Sequence, residues 1–320
     1  MNSDYPRNRI RVFFIPISSV FHNLKESDLK ISIVGVGRIG GALALALARK
    51  GFTVENLAVR NRETAEKIVK SMKNPPTILE FQSFSEINSD VILIATQDSE
   101  IATAADLIPV KSGYFPIVLH TSGSLSSEIL RKIKNSSIGS LHPLVSISDA
   151  FVGADRFEDV FFAVEGDDKA VDAAQTIAKV LGGKPFAIET KTKALYHAAA
   201  VLACGHFVAL FDSANEMLEK CGIDKALGKE ILLPLVKSTI ANLEVQSAEN
   251  ALTGTFARLD QDAFQNHVKL MKENISEDIL EVYLQLGLRS LHLVKANEVN
   301  REKLDEMREN ISLAKRNLKC

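Results

Sequence analysis

Residues 29–47 read LKISIVGVGRIGGALALAL: a short β-branched run, a glycine-rich turn, and an apolar segment rich in alanine and leucine. Strand, GxGxxG turn and helix, in this order, form the arrangement that a dinucleotide-binding unit requires. Gly35 permits the sharp turn, Gly37 lets the backbone approach a pyrophosphate, and Gly40 lets the helix pack closely on the strand. The first helical amides then face the ligand. The alternative is a glycine turn that only joins a strand to a helix.

The end of the second predicted strand indicates which dinucleotide the turn suits. Residues 56–59 run into Arg60-Asn61-Arg62, where an NAD-preferring protein usually has an Asp or Glu for the ribose 2′-hydroxyl. Glu55 stands at the start of that strand, on the wrong side of the sheet. Guanidinium groups suit a 2′-phosphate because they form forked, charge-assisted hydrogen bonds to its oxygens. We therefore predict NADP as the cofactor; a solvated basic turn before a helix is the alternative.

Strand and helix patterns alternate from residue 30 to about residue 189. Residues 91–96 form a continuous apolar run, typical of a buried parallel strand, and residues 117–120 repeat it. From residue 190 onward the pattern is helical. The sequence predicts an α/β fold, a Rossmann-type doubly wound sheet followed by an all-helical C-terminal domain. The predicted ranges are 1–29 for an N-terminal extension, 30–189 for the dinucleotide-binding domain and 190–320 for the helical substrate or dimerisation domain.

Ligands of open α/β sheets bind beside the carboxyl ends of the strands. In this chain two of those ends carry Ala95-Thr96 and His120-Thr121. The residues predicted to bind the cofactor are Gly35, Gly37, Arg38, Ile39, Gly40, Arg60, Asn61, Arg62, Ala95, Thr96 and Thr121.

Composition places the chain among ordinary globular proteins. It has 320 residues, 46% of them hydrophobic, and 38 basic side chains against 40 acidic ones. That balance lacks the positive excess that favours nucleic-acid or anionic-membrane binding, so we expect neither partner. Cys204, Cys221 and Cys320 have no metal-ligand spacing, so we expect no metal site, a reducing compartment and a cytoplasmic location.

Two apolar stretches resemble membrane or targeting segments. Residues 12–15 follow three arginines, but Pro16 interrupts the run and no small-residue cleavage site follows, so we expect no signal peptide. Residues 194–211 are long and apolar but contain His197 and His206. We predict that this second stretch is a helix buried in a domain or subunit core rather than a membrane span.

The first catalytic candidates stand at the start of the helical half. Lys193 and His197 are four residues apart, so they project from one face of a helix. Reduction of a ketone or imine by hydride needs a proton donor, because negative charge develops on the acceptor atom. We predict that this pair lies near that atom. A solvent-facing Lys and a hydrogen-bonded core His are the alternative.

Three further residues are candidates for the substrate site. His142 precedes a proline at a strand end and is predicted to line the cleft with Ser122, although a buried, satisfied imidazole is equally common. Arg258 stands in a polar break between long helices and suits a substrate carboxylate. Pairing of Arg258 with Asp260 or Asp262 is the alternative.

Several dispersed motifs carry a family resemblance. They are Gly35 to Gly40, His120-Thr121-Ser122-Gly123, Ser140 to Leu144, Tyr196 to Ala203, Pro234-Leu235 and Ala251 to Gly254. The chain resembles Rossmann-like proteins with a DUF2520 C-terminal domain, relatives of deazaflavin-dependent NADP oxidoreductase, pyrroline-5-carboxylate reductase and ketopantoate reductase. The resemblance implies a Rossmann domain, a helical domain that commonly builds a homodimer, and NADP-dependent reduction.

The chain departs from the wider pattern in its predicted substrate region. Relatives such as ketopantoate reductase have a Lys-xxx-Asn pair on the first interdomain helix, which Lys193 and His197 resemble with His in place of Asn. The family usually has Asn where Gly205 or His206 stands here. It also has Pro and Gly where this chain has Thr255 and Leu259.

These observations lead to one main functional hypothesis and two alternatives. The main hypothesis is an NADP-dependent oxidoreductase that reduces a small oxo acid or imine, with a ketopantoate-like substrate possible. An NADP-binding regulatory or scaffold protein without catalysis is the first alternative. Hydride exchange with a deazaflavin is the second. A homodimer is the expected assembly.

Overall fold

The computed structural model describes residues 29–109, 111–294 and 301–318. The predicted extension, residues 1–29, lies outside these ranges except for Leu29. The chain divides into two compact units, Met1–Cys204 and Gly205–Cys320. The strand pattern led us to expect the change of domain at residue 189. The first unit continues past that point and includes the helical turns that carry Lys193 and His197.

The first unit contains one eight-stranded sheet. Its strands are β1 (Lys30–Val34), β2 (Thr53–Val59), β3 (Thr77–Glu80), β4 (Val91–Ile94), β5 (Ile117–His120), β6 (Ser137–Pro143), β7 (Phe161–Gly166) and β8 (Lys184–Ala187). Their order is β3-β2-β1-β4-β5-β6-β7-β8. Neighbours pair in parallel except β6 and β7, which are antiparallel. The strand order reverses between β1 and β4, and that reversal is where a doubly wound sheet offers a crevice.

Helices cover the sheet of the first unit. They are α1 (Arg38–Arg49), α2 (Arg62–Lys70), α3 (Ile101–Asp106), α4 (Ala150–Gly153), α5 (Asp168–Val180) and α6 (Lys193–Ala200). Alternate residues of β4 enter different core clusters: Val91 and Leu93 pack in one, Ile92 and Ile94 in the other. Because side chains alternate along a strand, this central strand is buried on both faces. The predicted α/β sheet is confirmed.

The second unit is helical throughout its described residues. Its helices are α7 (His206–Lys220), α8 (Lys225–Val245), α9 (Ala248–Ala251), α10 (Thr255–Arg258), α11 (Gln261–Asn274), α12 (Glu277–Leu291) and α13 (Arg301–Arg316). A separate core forms around Phe264, Leu284, Met307 and Ile311. The predicted helical C-terminal region is therefore confirmed. A π-helical turn, Val201–Gly205, lies between α6 and α7.

One helical run among the described residues is long and apolar enough to cross a membrane. It covers Thr190–Lys220, with a mean hydropathy of 1.7 in its most apolar window, and none of that window is buried within the chain. We predicted a helix buried in a domain or subunit core. The single chain does not bury it, so burial in a domain core is wrong and only the subunit interface stays a prediction.

Candidate functional site

A cleft of about 710 Å³ opens at the carboxyl ends of β1, β2, β4 and β5 in the first unit. It lies at the crevice where the strand order reverses, as the position of the glycine turn after β1 led us to expect. The predicted residues that line it are Gly35, Gly37, Arg38, Ile39, Arg60, Asn61, Ala95, Thr96, Thr121, Ser122, His142 and His197. Gly40, Arg62 and Lys193 belong to the same unit but do not line the cleft.

The three glycines of the turn have different geometric reasons to be glycine. Gly35 has φ of +90°, and a Cβ there would lie 2.9 Å from the backbone of Ala95. A Cβ on Gly40 would lie 1.9 Å from the carbonyl oxygen of Gly35, so only glycine lets α1 pack this closely. A Cβ on Gly37 would have no neighbouring atom within 4 Å among the described residues, so the space beside this residue is open. These placements agree with the turn and packing roles expected of Gly35 and Gly40.

The start of α1 is suited to an anion. Gly37 precedes the helix and offers no side-chain hydrogen bond, and the first turn contains no acidic residue. The first amides of α1 therefore have no side-chain cap, and the helix dipole adds partial positive charge. Thr96, at the end of β4, has a buried hydroxyl with no hydrogen-bond partner in the structure. The open turn and this unpartnered hydroxyl both fit a dinucleotide pyrophosphate.

The two arginines after β2 have different surroundings. Arg60 lines the cleft, and its Nη1 lies 2.5 Å from Oε1 of Glu100. Arg62 instead pairs with Glu66 at 3.1 Å and with Glu80 at 3.6 Å. Arg62 does not line the cleft in this arrangement, because its guanidinium faces two carboxylates of α2 and β3, so its contact with the cofactor stays a prediction. Asn61 caps α2 by accepting a hydrogen bond from the amide of Glu63.

Glu100 is a cleft residue that the sequence reasoning missed. It lies in the short turn after β4 and is separated from Arg60 by 40 residues. Its carboxylate neutralises part of the positive charge expected to receive a 2′-phosphate. The only sequence signal was its place just beyond a predicted strand end, where ligand contacts concentrate.

The hydroxyl of Ser122 forms its hydrogen bonds within the loop after β5 and with Asp98. It donates to Oδ2 of Asp98 at 2.8 Å and accepts hydrogen bonds from the amides of Ser124 and Leu125. Ser122 is placed at the cleft as predicted, but its hydroxyl proton is already engaged. Its side chain thus shapes the loop after β5 in this arrangement.

Two imidazoles meet at one end of the cleft. The ring centroids of His142 and His197 are 5.6 Å apart in an edge-on arrangement. Nδ1 of His142 lies 2.9 Å from the hydroxyl of Tyr196. A Cβ added to Gly123 would lie 2.7 Å from Nε2 of His142 and 2.4 Å from Nδ1 of His197. The two rings therefore converge on a backbone position that carries no side chain.

The environment keeps His142 neutral. Burial lowers the pKa of His142 to about 4, and electrostatic interactions with His197 and Lys193 act in the same direction. Burial also raises the pKa of Tyr196 to about 12, so its hydroxyl stays protonated. Nδ1 of His197 is buried and has no hydrogen-bond partner in the structure. This end of the cleft consequently offers the uncharged hydrogen-bonding groups of His142 and Tyr196.

Lys193 lies below the cleft rather than in it. Its side chain is 1% exposed, and Nζ donates to Ser140 Oγ at 2.6 Å and to Glu165 Oε1 at 3.0 Å. Glu165 also accepts hydrogen bonds from Ser127 and Thr190. The expectation that Lys193 contacts the acceptor atom is corrected: the helical spacing is right, but a buried carboxylate on β7 holds the ammonium group.

The pair Lys193 and Glu165 is ionised. Burial alone raises the pKa of Glu165, but the charge of Lys193 and hydrogen bonds from Ser127 and Ser140 outweigh it, so the pKa lies below its usual range. Burial lowers the pKa of Lys193, and Glu165 opposes that effect. We infer a charged pair because several donors surround the carboxylate.

Arg258 belongs to the second unit, where it is the last residue of α10 and is exposed. Within the described part of the chain, no ion pair joins it to Asp260 or Asp262. Asp260 instead caps α11 through the amide of Ala263. The carboxylate-binding role of Arg258 stays a prediction. Across the described ranges, no group of three or more His, Cys, Asp or Glu side chains is arranged to hold a metal ion.

Comparison with protein families identifies two domains in the chain. Residues 16–143 match the Rossmann-like domain, and residues 160–290 match DUF2520, a domain of unknown function. Together they cover the sheet and most of the helices that follow it. Among curated protein sequences, none matches this chain.

Solved structures with the same fold include two bacterial proteins. A Bacteroides fragilis protein with the provisional name NADP oxidoreductase is 20% identical and superposes with a TM-score of 0.68, covering 83% of this chain and 99% of its own. A Thermotoga maritima protein is 23% identical, with a TM-score of 0.65 and coverage of 82% and 97%. Plasmodium falciparum pyrroline carboxylate reductase, solved with NADP bound, is 13% identical with a TM-score of 0.52 and coverage of 85% and 100%. These similarities establish the shared fold.

Proposed function

We propose that this chain, which combines a Rossmann-like domain with a DUF2520 domain, is a cytoplasmic NADP-dependent reductase of a small oxo acid or imine. The observation that carries the proposal is the cleft itself. It runs from the open turn at Gly37 to the two imidazoles of His142 and His197. A glycine turn suited to a cofactor and two imidazoles that can form hydrogen bonds thus lie in one cavity of the first unit.

The pyrophosphate of the cofactor would lie against the start of α1. Amides after Gly37 and the hydroxyl of Thr96 supply hydrogen bonds to its oxygens. Arg60 and Arg38 line the same cleft and supply positive charge for the 2′-phosphate. No side chain fills the space beside Gly37, so the backbone can approach the ligand closely.

The substrate would bind at the end of the cleft that carries the imidazoles. When bound, NADPH would supply a hydride, two electrons with one hydrogen nucleus, to the carbon of a C=O or C=N group. The oxygen or nitrogen of that group would take one proton from water, and an alcohol or amine would result. His142 and His197 stabilise the charge that develops on this atom by hydrogen bonding. Pyrroline carboxylate reductase, which has this fold, supports the choice of an imine or an oxo acid.

The test is NADPH binding followed by turnover. Purified protein is titrated with NADPH and then assayed at 340 nm with a panel that includes ketopantoate and pyrroline carboxylate. Gly37→Val should weaken NADPH binding by at least tenfold, because the new side chain occupies the open space beside the turn. Its unfolding temperature without cofactor should match the parent's, since a Cβ there meets no neighbour. Absence of NADPH binding at millimolar concentration contradicts the proposal.

A regulator that binds NADP without catalysis is the second candidate. The hydroxyl of Ser122 and the ammonium of Lys193 are both committed to internal partners, which leaves fewer groups for proton transfer. Calorimetry separates the two candidates. Tight NADPH binding with no turnover on any acceptor of the panel, an oxidised deazaflavin included, favours the regulator.

We also propose that a second copy of this chain covers the exposed apolar faces of α7 and α8. Val208 and Leu235 are 68% and 64% exposed, and Val245 is 80% exposed. A membrane is a poorer partner, because the helical run begins with the buried Lys193 ion pair and its last turns carry Asp and Glu. An exposed apolar surface of this extent is typical of an interface.

The oligomeric state tests this assembly. Light scattering of the purified chain should give twice its mass of 35.0 kDa. The double variant Val208→Glu/Leu235→Glu should give the mass of one chain. Leu270→Glu is the matched control, because Leu270 is 58% exposed on α11 and lies outside the proposed interface. A single-chain mass for the parent, or flotation of the parent with lipid vesicles, contradicts the proposal.

A further inference from the structure

Tyr196 lies one residue before His197 on α6, and its hydroxyl is 2.9 Å from Nδ1 of His142 on β6. We propose that Tyr196 is a positioning residue that donates this hydrogen bond and fixes the His142 tautomer whose Nε2–H serves the hydride acceptor. The inference rests on the proposed reductase function for the last part, the contact with substrate. The tautomer itself is a property of the protein alone.

The direction of the hydrogen bond follows from the number of available partners. A neutral imidazole carries one N–H group and one acceptor nitrogen, so its tautomer depends on which group the neighbour offers. His142 is the one hydrogen-bond partner of the Tyr196 hydroxyl among the described residues. If Nδ1 donated, the phenol proton of this part-buried hydroxyl would have no acceptor among the described residues. Donation by Tyr196 uses that proton and leaves the hydrogen of His142 on Nε2.

The protonation states of both groups support this assignment. Burial raises the pKa of Tyr196 to about 12, so the phenol retains the proton that it donates. Burial, with smaller contributions from His197 and Lys193, lowers the pKa of His142 to about 4. The ring is therefore neutral at physiological pH, and its tautomer matters. An imidazolium would carry hydrogen on both nitrogens and would need no such control.

The hydroxyl of Tyr196 is held in place from several sides. Its ring packs edge-on against Phe186 at 5.9 Å and against His142 at 5.6 Å. Three residues earlier on the same helix, Lys193 is bound to Glu165 in the sheet. The start of α6 is thus attached to β7, and the tyrosine is presented to the end of β6. A fixed donor of this kind is what tautomer control requires.

The other nitrogen of His142 is free to act in the cleft. Nε2 makes no hydrogen bond within the described residues, and His142 lines the cleft. Gly123 packs closely against this side of the ring, since a Cβ there would lie only 2.7 Å from Nε2. Nδ1 of His197 packs against the same glycine, at 2.4 Å from that position, so only glycine lets both rings approach here. An acceptor atom at this end of the cleft would meet the N–H of His142 from the side that faces the cleft.

Nitrogen-15 NMR of the full chain, labelled at its histidines, tests the inference without any substrate. The His142 signals are assigned by comparison with His142→Gln. At pH 7 the parent should show His142 with hydrogen on Nε2. Tyr196→Phe keeps the ring but loses the donor, so the His142 signals should shift to a mixture of both tautomers. Tyr283→Phe is the matched control, because Tyr283 bonds His267 at the same distance, 2.9 Å, in the second unit.

Kinetics complete the experiment. Tyr196→Phe should lower kcat by roughly tenfold, the equivalent of one hydrogen bond, with the KM for NADPH unchanged. Hydrogen on Nδ1 of His142 in the parent, or identical His142 signals in Tyr196→Phe, overturns the inference. A tautomer shift accompanied by unchanged kcat overturns the link to substrate. If no acceptor is reduced by the parent while the tautomer shifts as expected, the reductase proposal fails and the positioning role of Tyr196 stands.

Discussion

Nζ of Lys193 lies 3.0 Å from Oε1 of Glu165, and the two side chains are 1% and 2% exposed. Each residue is thus a buried charge whose compensation depends on the other. The attraction offsets the cost of removing both groups from water only while both are present. Neutral donors from Ser127, Ser140 and Thr190 complete the shell of the carboxylate. The stability of the fold should therefore depend strongly on the presence of both charges.

Lys193→Met should lower the free energy of unfolding by about 3–5 kcal/mol, because it leaves the carboxylate of Glu165 buried without its counter-charge. Lys193→Met/Glu165→Leu should recover part of that loss, since no uncompensated charge remains. Urea denaturation followed by circular dichroism measures both. Lys191→Met is the control: Lys191 pairs with Glu189 on the surface and is 80% exposed, so its loss should stay within about 0.5 kcal/mol. Equal effects of Lys193→Met and Lys191→Met contradict the interpretation.

Acid should destabilise the protein before its carboxylates titrate. The pKa of His142 is lowered to about 4 by burial, and the pKa of the fully buried His120 is lowered to about 3, also chiefly by burial. In the unfolded chain both imidazoles take up a proton near pH 6.5. Their contribution to stability is present above that pH and is lost as the pH falls through about 4. For His142 alone the loss is on the order of 3 kcal/mol.

Urea midpoints at pH 7.5, 6, 5 and 4.5 measure this decline. His142→Gln should make the decline between pH 6.5 and 4.5 shallower and leave the part that is due to His120. His267→Gln, which removes an exposed imidazole, should keep the full decline. A stability of the parent that is constant down to pH 4.5 would show that the buried imidazoles are accommodated as cations.

Leu259 occupies a backbone conformation that favours glycine. Its φ is +54°, in the left-handed region, and its side chain is 5% exposed in the core of the second unit. A non-glycine residue there costs about 1–2 kcal/mol. Burial of a leucine side chain contributes about 2–3 kcal/mol, so packing outweighs strain and leucine is retained.

The relative stabilities of two variants at residue 259 test whether Leu259 is strained. Leu259→Gly and Leu259→Ala should both destabilise the second unit, but the glycine variant should be the more stable of the two by about 1 kcal/mol. At Leu280, buried within α12, the order should reverse, because alanine exceeds glycine in a helix interior. Thermal unfolding of the four variants gives the comparison. An alanine variant more stable than the glycine variant at both positions contradicts the strain at Leu259.

Arg60 and Arg62 should contribute unequally to cofactor preference. Arg60→Ala should weaken NADPH binding by roughly ten- to a hundredfold and NADH binding much less, because Arg60 lines the cleft and its lost bonds are to the 2′-phosphate. Arg62→Ala is the matched control, and it should leave NADPH binding within about twofold, since Glu66 and Glu80 hold that side chain. Calorimetric titration with each nucleotide provides the dissociation constants.

Glu100 should weaken NADPH binding, whereas Arg60 should strengthen it. Glu100→Gln removes a negative charge beside Arg60 and should tighten NADPH binding by a few fold without affecting NADH to the same degree. Stronger weakening by Arg62→Ala than by Arg60→Ala, or no response to Glu100→Gln, would contradict this assignment of the 2′-phosphate site.

The sequence was a good guide to the parts of the molecule that depend on local pattern. The strand before Gly35 and the apolar run at residues 91–94 are continuous and buried on both faces, so their periodicity identified the sheet. The helical second half had equally clear signals. Both follow from alternation and helical spacing, which are properties of neighbouring residues.

Side-chain partners that are distant in sequence were not predictable. Helical spacing correctly put Lys193 and His197 one turn apart, but it cannot show that Glu165 lies beneath the first of them. Glu100 and Arg60 meet across the sheet for the same reason. Tyr196 stood within a recognised motif, yet its contact with His142 depends on how α6 lies on β6. Such pairings arise from tertiary packing, on which local periodicity has no bearing.

Strand β7 runs against its neighbour β6, with Ser140 opposite Glu165 and His142 opposite Ala163. If β7 slipped by one residue, Val164 would take the place of the carboxylate and Glu165 would turn to the other side of the sheet. The ammonium of Lys193 would then lie beside an apolar side chain and would have no counter-charge. Misaligned folding of this hairpin is thereby penalised electrostatically, so changes in the length of the segment between residues 144 and 160 should be tolerated only where they preserve this alignment.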